Sequence, residues 1–271
     1  MKLSRRKWLG RSLFYGSGFA GFGYGSLVEK RWLDVTRQHI PLTESHAALE
    51  GLKIAVMGDF HHDDFGDEEL IGRAVKVIND EQVDLVYLVG DYISRDAAAI
   101  VPLCEVLRDL RPTLGTFAVM GNHDAWHVDP ILFKSLENAG VRMLINDAQE
   151  FDHFGVVGMD SFWGGRPDLP FALNKITAGK PVILGWHEPD TFAAYDDPRI
   201  VLQVSGHTHG GQICAPFYGP ILLPEHGRKY SYGYYRRGDS SLFVTRGVGT
   251  LTLPARFLCP PEVVLLKFGV A

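Results

Sequence analysis

Lys53-Ile54-Ala55-Val56-Met57-Gly58-Asp59-Phe60-His61 sets out in nine residues a rule that the rest of the chain repeats. A short apolar run rich in β-branched residues is followed by glycine and then by side chains able to bind metal. Asp84-Leu85-Val86-Tyr87-Leu88-Val89-Gly90 leads to Asp91, and Thr116-Phe117-Ala118-Val119-Met120-Gly121 leads to Asn122-His123-Asp124. Val182-Ile183-Leu184-Gly185-Trp186 leads to His187, and the run 200–204 leads through Gly206 to His207 and His209. Runs this short and this apolar predict strands buried on both faces.

Between the early runs lie helical patterns. Residues 68–79 place Leu70, Ile71, Ala74, Val77 and Ile78 at helical spacing behind a cap at Asp67; residues 96–110 form a second pattern whose first turn is marked by Pro102; Asp129-Pro130 opens a third, which Gly140 closes. Strands alternating with helices predict an α/β fold whose strand C-terminal ends gather at one edge, where such folds place ligands. Later runs at 155–159, 242–245 and 263–268 have fewer helices between them and predict a second sheet, hence a two-sheet αββα sandwich. His39, His46, His127 and His153 fall outside the strand-end pattern and read as surface residues, and His62, Asp63 and Asp64 as a solvated loop. Glu188 and Asp190 read as loop or capping residues. Residues 218–237, rich in tyrosine, arginine and lysine, read as an exposed hairpin or as a grip on the substrate.

With 271 residues, 46% of them hydrophobic and 22% charged, the chain can bury one sizeable core. A formal charge of -5 argues against a general nucleic-acid binder. Cys104, Cys214 and Cys259 are widely spaced and contain no CxxC, so they read as small buried hydrophobes and not as a disulfide framework or a zinc site. Lys2, Arg5, Arg6 and Lys7 precede a weakly apolar stretch at 8–28. This start predicts a signal or membrane anchor over 1–30, a linker over 31–50 and one domain over 51–271. Ser4-Arg5-Arg6-Lys7-Trp8-Leu9 resembles the twin-arginine export signal, which implies the export machinery and the membrane as partners and places the body outside the cytoplasm. A peripheral anchor on the cytoplasmic face of the membrane is the alternative.

Asp59, His61, Asp91, Asn122, His187, His207 and His209 are too many donors for one tetrahedral zinc and suit two divalent ions sharing a carboxylate. Two such ions less two carboxylates leave positive charge that a phosphate ester complements. The whole series resembles the calcineurin-like metallophosphoesterases, motif by motif and in order, over 53–268. Thr245-Arg246-Gly247-Val248-Gly249, Pro254-Ala255-Arg256 and Cys259-Pro260-Pro261-Glu262 resemble a bacterial, often membrane-associated subgroup that includes hydrolases of UDP-2,3-diacylglucosamine. The resemblance implies that Asp59, His61 and His209 hold one ion, that Asn122, His187 and His207 hold the other, and that Asp91 bridges. It also implies that His123 stands beside the leaving group and that Asp124 orients it. The implied cofactors are two divalent or mixed-valent ions of manganese, iron or zinc. The implied reaction is attack of a metal-bound hydroxide on a phosphate ester or pyrophosphate, the substrate being lipid-linked. A soluble monoester or diester is the alternative, and a non-catalytic scaffold that keeps the metal site is a second.

Overall fold

The computed structural model describes residues 21–270, so most of the expected signal or anchor lies outside the described residues. Two six-stranded sheets carry the fold. The first runs, in spatial order, β1 (Asp34–Leu42), β14 (Glu262–Val270), β2 (Lys53–Met57), β3 (Leu85–Leu88), β4 (Gly115–Ala118) and β5 (Val141–Met143). The second runs β12 (Gly233–Arg237), β13 (Ser240–Val244), β9 (Ile200–Ser205), β8 (Val182–Gly185), β7 (Gly155–Gly158) and β6 (Asp147–Glu150). A short ribbon, β10 (Cys214–Ala215) with β11 (Gly219–Pro220), follows the last of the motifs.

Side-chain alternation along the strands builds the layers. On β2 and β3, Ile54, Val56, Leu85 and Tyr87 face inward and share one core with Val156, Ile183, Leu202, Val204 and Phe243 of the second sheet. Ala55, Met57, Val86 and Leu88 point the other way, into helices Glu68–Asp80, Ile100–Leu107 and Pro130–Asn138. Asp67 caps the first of these by accepting the Leu70 N–H at 3.0 Å, and Asp129 caps the third by accepting from Ile131 at 2.8 Å. Helix Leu169–Leu173 covers the outer face of the second sheet, so the order of layers is helix, sheet, sheet, helix. Each fully buried Leu, Ile or Phe contributes about 1.5–3 kcal/mol. Tyr87 crosses the inner core to donate from its hydroxyl to the Val157 carbonyl at 2.8 Å. Gly185 makes room for that ring, since a Cβ there would lie 2.2 Å from it.

Several expectations need correcting. Residues 31–50 are no linker among the described residues: β1 pairs in parallel with β14 from Asp34↔Glu262 to Leu42↔Val270. As an edge strand it is half exposed, and its Asp34, Arg37 and Gln38 mask the strand pattern. The run at 263–268 belongs to the first sheet, not the second, because β14 returns antiparallel to β2. His46 is buried, its ring 3.2 Å from both Thr43 Oγ1 and the Pro198 carbonyl. In the tyrosine-rich stretch the strands are Gly219–Pro220 and Gly233–Arg237, which pair with different partners, and Tyr230 packs on Phe192 and Tyr235. No helix among the described residues is long and apolar enough to cross a membrane.

Candidate metal centre

The five motifs stand at the C-terminal ends of five strands, three from the first sheet and two from the second. β2 leads into Asp59 and His61, β3 into Asp91 and β4 into Asn122; facing them, β8 leads into His187 and β9 into His207 and His209. All seven side chains are buried. Five of them sit in the left-handed region, with φ of 52° at Asp59, 43° at His61, 54° at Asp91, 75° at His207 and 51° at His209. Non-glycine residues held there cost about 1–3 kcal/mol each, and such strain gathers at sites of function. The strand ends are pressed together: a Cβ on Gly90 would stand 2.4 Å from the Gly121 nitrogen.

Three trios of donors result; one, His61 with Asp91 and His123, shares a residue with each of the other two. Asp59, His61 and His209 offer ligand atoms within 4.8 Å of one another, and so do Asp91, His187 and His207. Asp91 Oδ2 lies 3.4 Å from His61 Nε2 in the first trio and 3.2 Å from His187 Nε2 in its own. Neither approach is a hydrogen bond, and both ring nitrogens are buried without a partner. The far side of three of the four rings is fixed, His209 being the exception. His61 Nδ1 is 2.9 Å from Ser94 Oγ, His187 Nδ1–H donates to the Val89 carbonyl at 2.6 Å, and His207 Nε2–H donates to the Glu225 carbonyl at 2.7 Å. Such outer bonds settle the tautomer and leave the other nitrogen as a donor to metal.

Orphaned buried atoms test whether metal fits. Asp59 Oδ2, His61 Nε2, Asn122 Oδ1, His187 Nε2 and both ring nitrogens of His209 are buried without a hydrogen-bond partner. Folded proteins rarely leave such groups unpaired, because each costs several kcal/mol. Here they converge, and divalent cations would satisfy them together, taking one of the two His209 nitrogens. The charges agree. Burial pushes the Asp59 carboxyl up to about 6, and it pushes His207 down to about 4, with His187 adding to that depression. His209 is held well below its ordinary value by burial and the neighbouring His61. Burial opposes charge on both members of the remaining pair, yet their attraction prevails: Asp91 lies well below the carboxylate range and His187 well above the usual imidazole value. Concentrated negative charge on Asp91 and neutral His207 and His209 form a donor set that suits manganese, iron or zinc.

His123 lies beside this cluster, half-buried, with its ring centroid 4.8 Å from that of His61. Its backbone N–H donates to Asp91 Oδ1 at 3.0 Å, and its Nδ1–H donates to the Ser94 carbonyl at 3.1 Å. Asp124 does not orient this ring, contrary to expectation. Its carboxylate accepts backbone N–H groups from Asp91 at 2.7 Å, Tyr92 at 2.9 Å and Gly121 at 2.9 Å, so it fixes the loop that carries Asp91. Burial, with the Asp91 charge, pushes its carboxyl up to about 7.

Ser94 is therefore a site residue that the motif reading missed, bonding both His61 and His123. Asp63 is another: it is no part of a solvated loop but accepts the N–H groups of Ser94, Arg95 and Asp96. His62 beside it is also buried. Glu188 is fully buried and accepts from Ser161 Oγ, Phe162 N–H and Trp163 N–H, while Asp190 accepts from the N–H groups of Arg228, Lys229 and Tyr230. The tail motifs also act here. The buried Arg256 guanidinium donates to the carbonyls of Arg246, Gly247, Gly249 and Cys259, and the segment it holds donates from Val248 and Gly249 to the carbonyls of Gly58 and Asp59. Gly247, at φ 70°, sits where a Cβ would be 2.6 Å from Asp59 Cβ. Aromatic rings rim the opening: Trp126 packs on His123 at 5.1 Å and on Trp163 at 4.9 Å, and Trp163 stands edge-on to His207 at 5.7 Å.

Comparison with known proteins agrees with this geometry. The profile of one family, described as calcineurin-like phosphoesterase, matches residues 52–211. The chain is 32% identical to the uncharacterized metallophosphoesterase YkuE of Bacillus subtilis, over 97% of this chain and 96% of that protein. It is 30% identical to the phosphodiesterase YaeI of Escherichia coli, over 98% of this chain and 99% of that protein. Among solved structures, the Thermus thermophilus sulfate thiohydrolase SoxB in complex with glycerol shares the fold, with a TM-score of 0.50 at 15% identity over 74% of this chain and 52% of that one.

Proposed function

The chain belongs to the calcineurin-like phosphoesterases, metal-dependent hydrolases of phosphoric esters, and from that premise we propose that it uses two metal ions to hydrolyse a phosphodiester. One observation carries the two-ion reading: Asp91 Oδ2 stands between imidazoles of two separate donor trios, 3.4 Å from one and 3.2 Å from the other. Asp59, His61 and His209 would hold the first ion, and Asn122, His187 and His207 the second, with Asp91 shared. Bound divalent ions supply Lewis acidity toward phosphoryl oxygens and make water acidic at neutral pH.

The protein's own groups do the rest. His123, tethered through Nδ1–H to the Ser94 carbonyl, would give a proton from Nε2 to the departing oxygen in its imidazolium form, which burial opposes and the Asp91 charge favours. Asn122 provides a neutral oxygen, so the site keeps the positive charge that a phosphate requires. The diester is favoured by the name of the Escherichia coli relative, which aligns with almost the whole chain. A diester or pyrophosphate with an apolar, lipid-linked part, UDP-2,3-diacylglucosamine among them, is the narrower form of the proposal; the exposed rings of Trp126, Trp163 and Phe162 at the opening support it. The basic, apolar start of the sequence supports a membrane location for such chemistry.

Elemental analysis with turnover of bis-nitrophenyl phosphate tests this reading. Two ions per chain are expected, and His207→Ala should lose one ion and at least about 10²-fold in rate. Undiminished hydrolysis in that variant would overturn it.

A further inference from the structure

Beside the metal centre, large apolar side chains stand out at loop tips with no described residue packed over them. Phe217 is fully exposed, Tyr218 is 79% exposed and Leu222 is 80% exposed, all in or just after the β10–β11 ribbon. Leu253 and Leu258, about half exposed, lie in loops bonded to the start of the ribbon, through Gln212 to the Leu253 carbonyl and through Cys214 N–H to the Phe257 carbonyl. Phe217 and Leu258 are also held in the left-handed region, at φ 64° and 52°. A bulky residue kept in a strained conformation and turned into solvent gains nothing from its own fold, and points to a partner.

Contacts join these tips into one belt. The ribbon leans on the site through Gly211, where a Cβ would meet Pro220 at 2.5 Å. Gln212 binds the loop of Leu251 and Leu253, its Nε2 donating to both carbonyls at 3.0 Å. Ile213 bridges Phe257, and Phe257 meets the Tyr24 ring at 6.3 Å. Residues 21–27 are helical and expose Phe22 and Leu27 at the end of this chain of contacts. At the other end, His226 packs on Phe162 at 5.1 Å and on Trp163 at 5.8 Å, at the opening of the metal centre.

We propose that this belt seats the opening of the metal centre on the surface of a lipid bilayer containing anionic lipid. Protruding loop tips suit lipid, which moulds itself around each ring, better than they suit a protein surface. The sequence entering the belt at residue 21 carries Lys2, Arg5, Arg6, Lys7 and Arg11 among Trp8, Phe14, Tyr15 and Phe19, a basic and aromatic composition that complements anionic headgroups. Arg228 and Lys229 are exposed close to the opening and add to it. Seated in this way, the site meets phosphate esters at headgroup depth. The docking stands whether or not the ester chemistry is as assigned.

The test places an environment-sensitive fluorophore on full-length Leu222→Cys protein; the native cysteines are buried and do not compete for the label. Lys76→Cys, on the exposed side of helix Glu68–Asp80, serves as the control. Addition of phosphatidylcholine vesicles containing a minority of phosphatidylglycerol should shift the emission at position 222 to the blue with a several-fold gain and leave position 76 unchanged. Phe217→Ser with Leu222→Ser should cut vesicle-bound protein several-fold while turnover of soluble bis-nitrophenyl phosphate persists. A label at 222 that stays in water while the protein floats with vesicles would overturn the proposal. So would no flotation, an equal shift at both positions, or a shift that appears without vesicles as protein concentration rises, which would mark a second copy as the occupant.

Discussion

Asp59 shows how much of this site is decided by a single atom's surroundings. Its Oδ1 accepts the His207 N–H at 2.8 Å, while its buried Oδ2 has no protein partner. Burial raises its carboxyl from 3.8 to about 6, so between those values the native chain keeps a proton that the unfolded chain has released. That contribution to stability is lost as pH rises through about 6. A bound cation displaces the same proton, and displaces another from His187, whose imidazole is held above its ordinary value by Asp91 despite burial. Metal affinity should therefore rise with pH, most steeply below about 6 where both protons are still present, at roughly tenfold per pH unit for each proton displaced. Competition for manganese against a chelating dye across this range checks it; a flat affinity would contradict the ligand roles of both residues. Asp124 poses a separate question at this scale. Replacing it by Asn turns an acceptor of several backbone N–H groups into a group that must also place two donors among them. Asp124→Asn should lower stability by about 2–4 kcal/mol and reduce metal occupancy, as read by denaturant unfolding and elemental analysis. Loss of rate with unchanged stability would instead mark Asp124 as acting directly on chemistry.

At the scale of elements, what a strand end carries was legible and what supports it was not. Gly58-Asp59, Gly90-Asp91, Gly121-Asn122 and Gly206-His207 announce themselves because a buried strand, a turn and a donor side chain are adjacent in sequence. Ser94 was invisible because it acts partly through a carbonyl, which any residue has, and Asp63 because its partners are N–H groups about thirty positions away. β1 escaped because an edge strand needs only one buried face, and β14 was assigned to the wrong sheet because nothing local records that it returns between β1 and β2. Glu188 illustrates the same limit. Read as a loop residue, it is a fully buried carboxylate that holds Ser161, Phe162 and Trp163 at the rim. Glu188→Gln weakens three charge-assisted bonds but preserves shape, so the loop should loosen at a cost of about 1–3 kcal/mol. KM for an aryl phosphodiester should rise several-fold while metal content stays constant; an unchanged KM would remove the rim from substrate binding.

The candidate metal centre also bears on the whole molecule, because the side chains proposed as its donors come from both sheets. Asp59, His61, Asp91 and Asn122 follow strands of the first sheet; His187, His207 and His209 follow strands of the second. Besides the shared core, polar contacts join the sheets here, among them His207 N–H to Asp59, His187 Nδ1–H to the Val89 carbonyl and Val248 N–H to the Gly58 carbonyl. Ions held between the trios would clamp the two layers at their C-terminal edges, and the strain at five left-handed donors would be offset by coordination. Such a clamp is visible to mass action: free metal at about a hundred times its dissociation constant stabilises by about 2.7 kcal/mol, or roughly 5–10 °C in Tm for a chain of this size. Manganese should therefore raise the melting temperature of chelator-treated protein by that amount. His207→Ala, which removes one donor and leaves the core untouched, should forfeit much of the gain. If metal instead shifted wild type and His207→Ala alike, the ions would be binding elsewhere, and the sheets would owe their alignment to the apolar core alone.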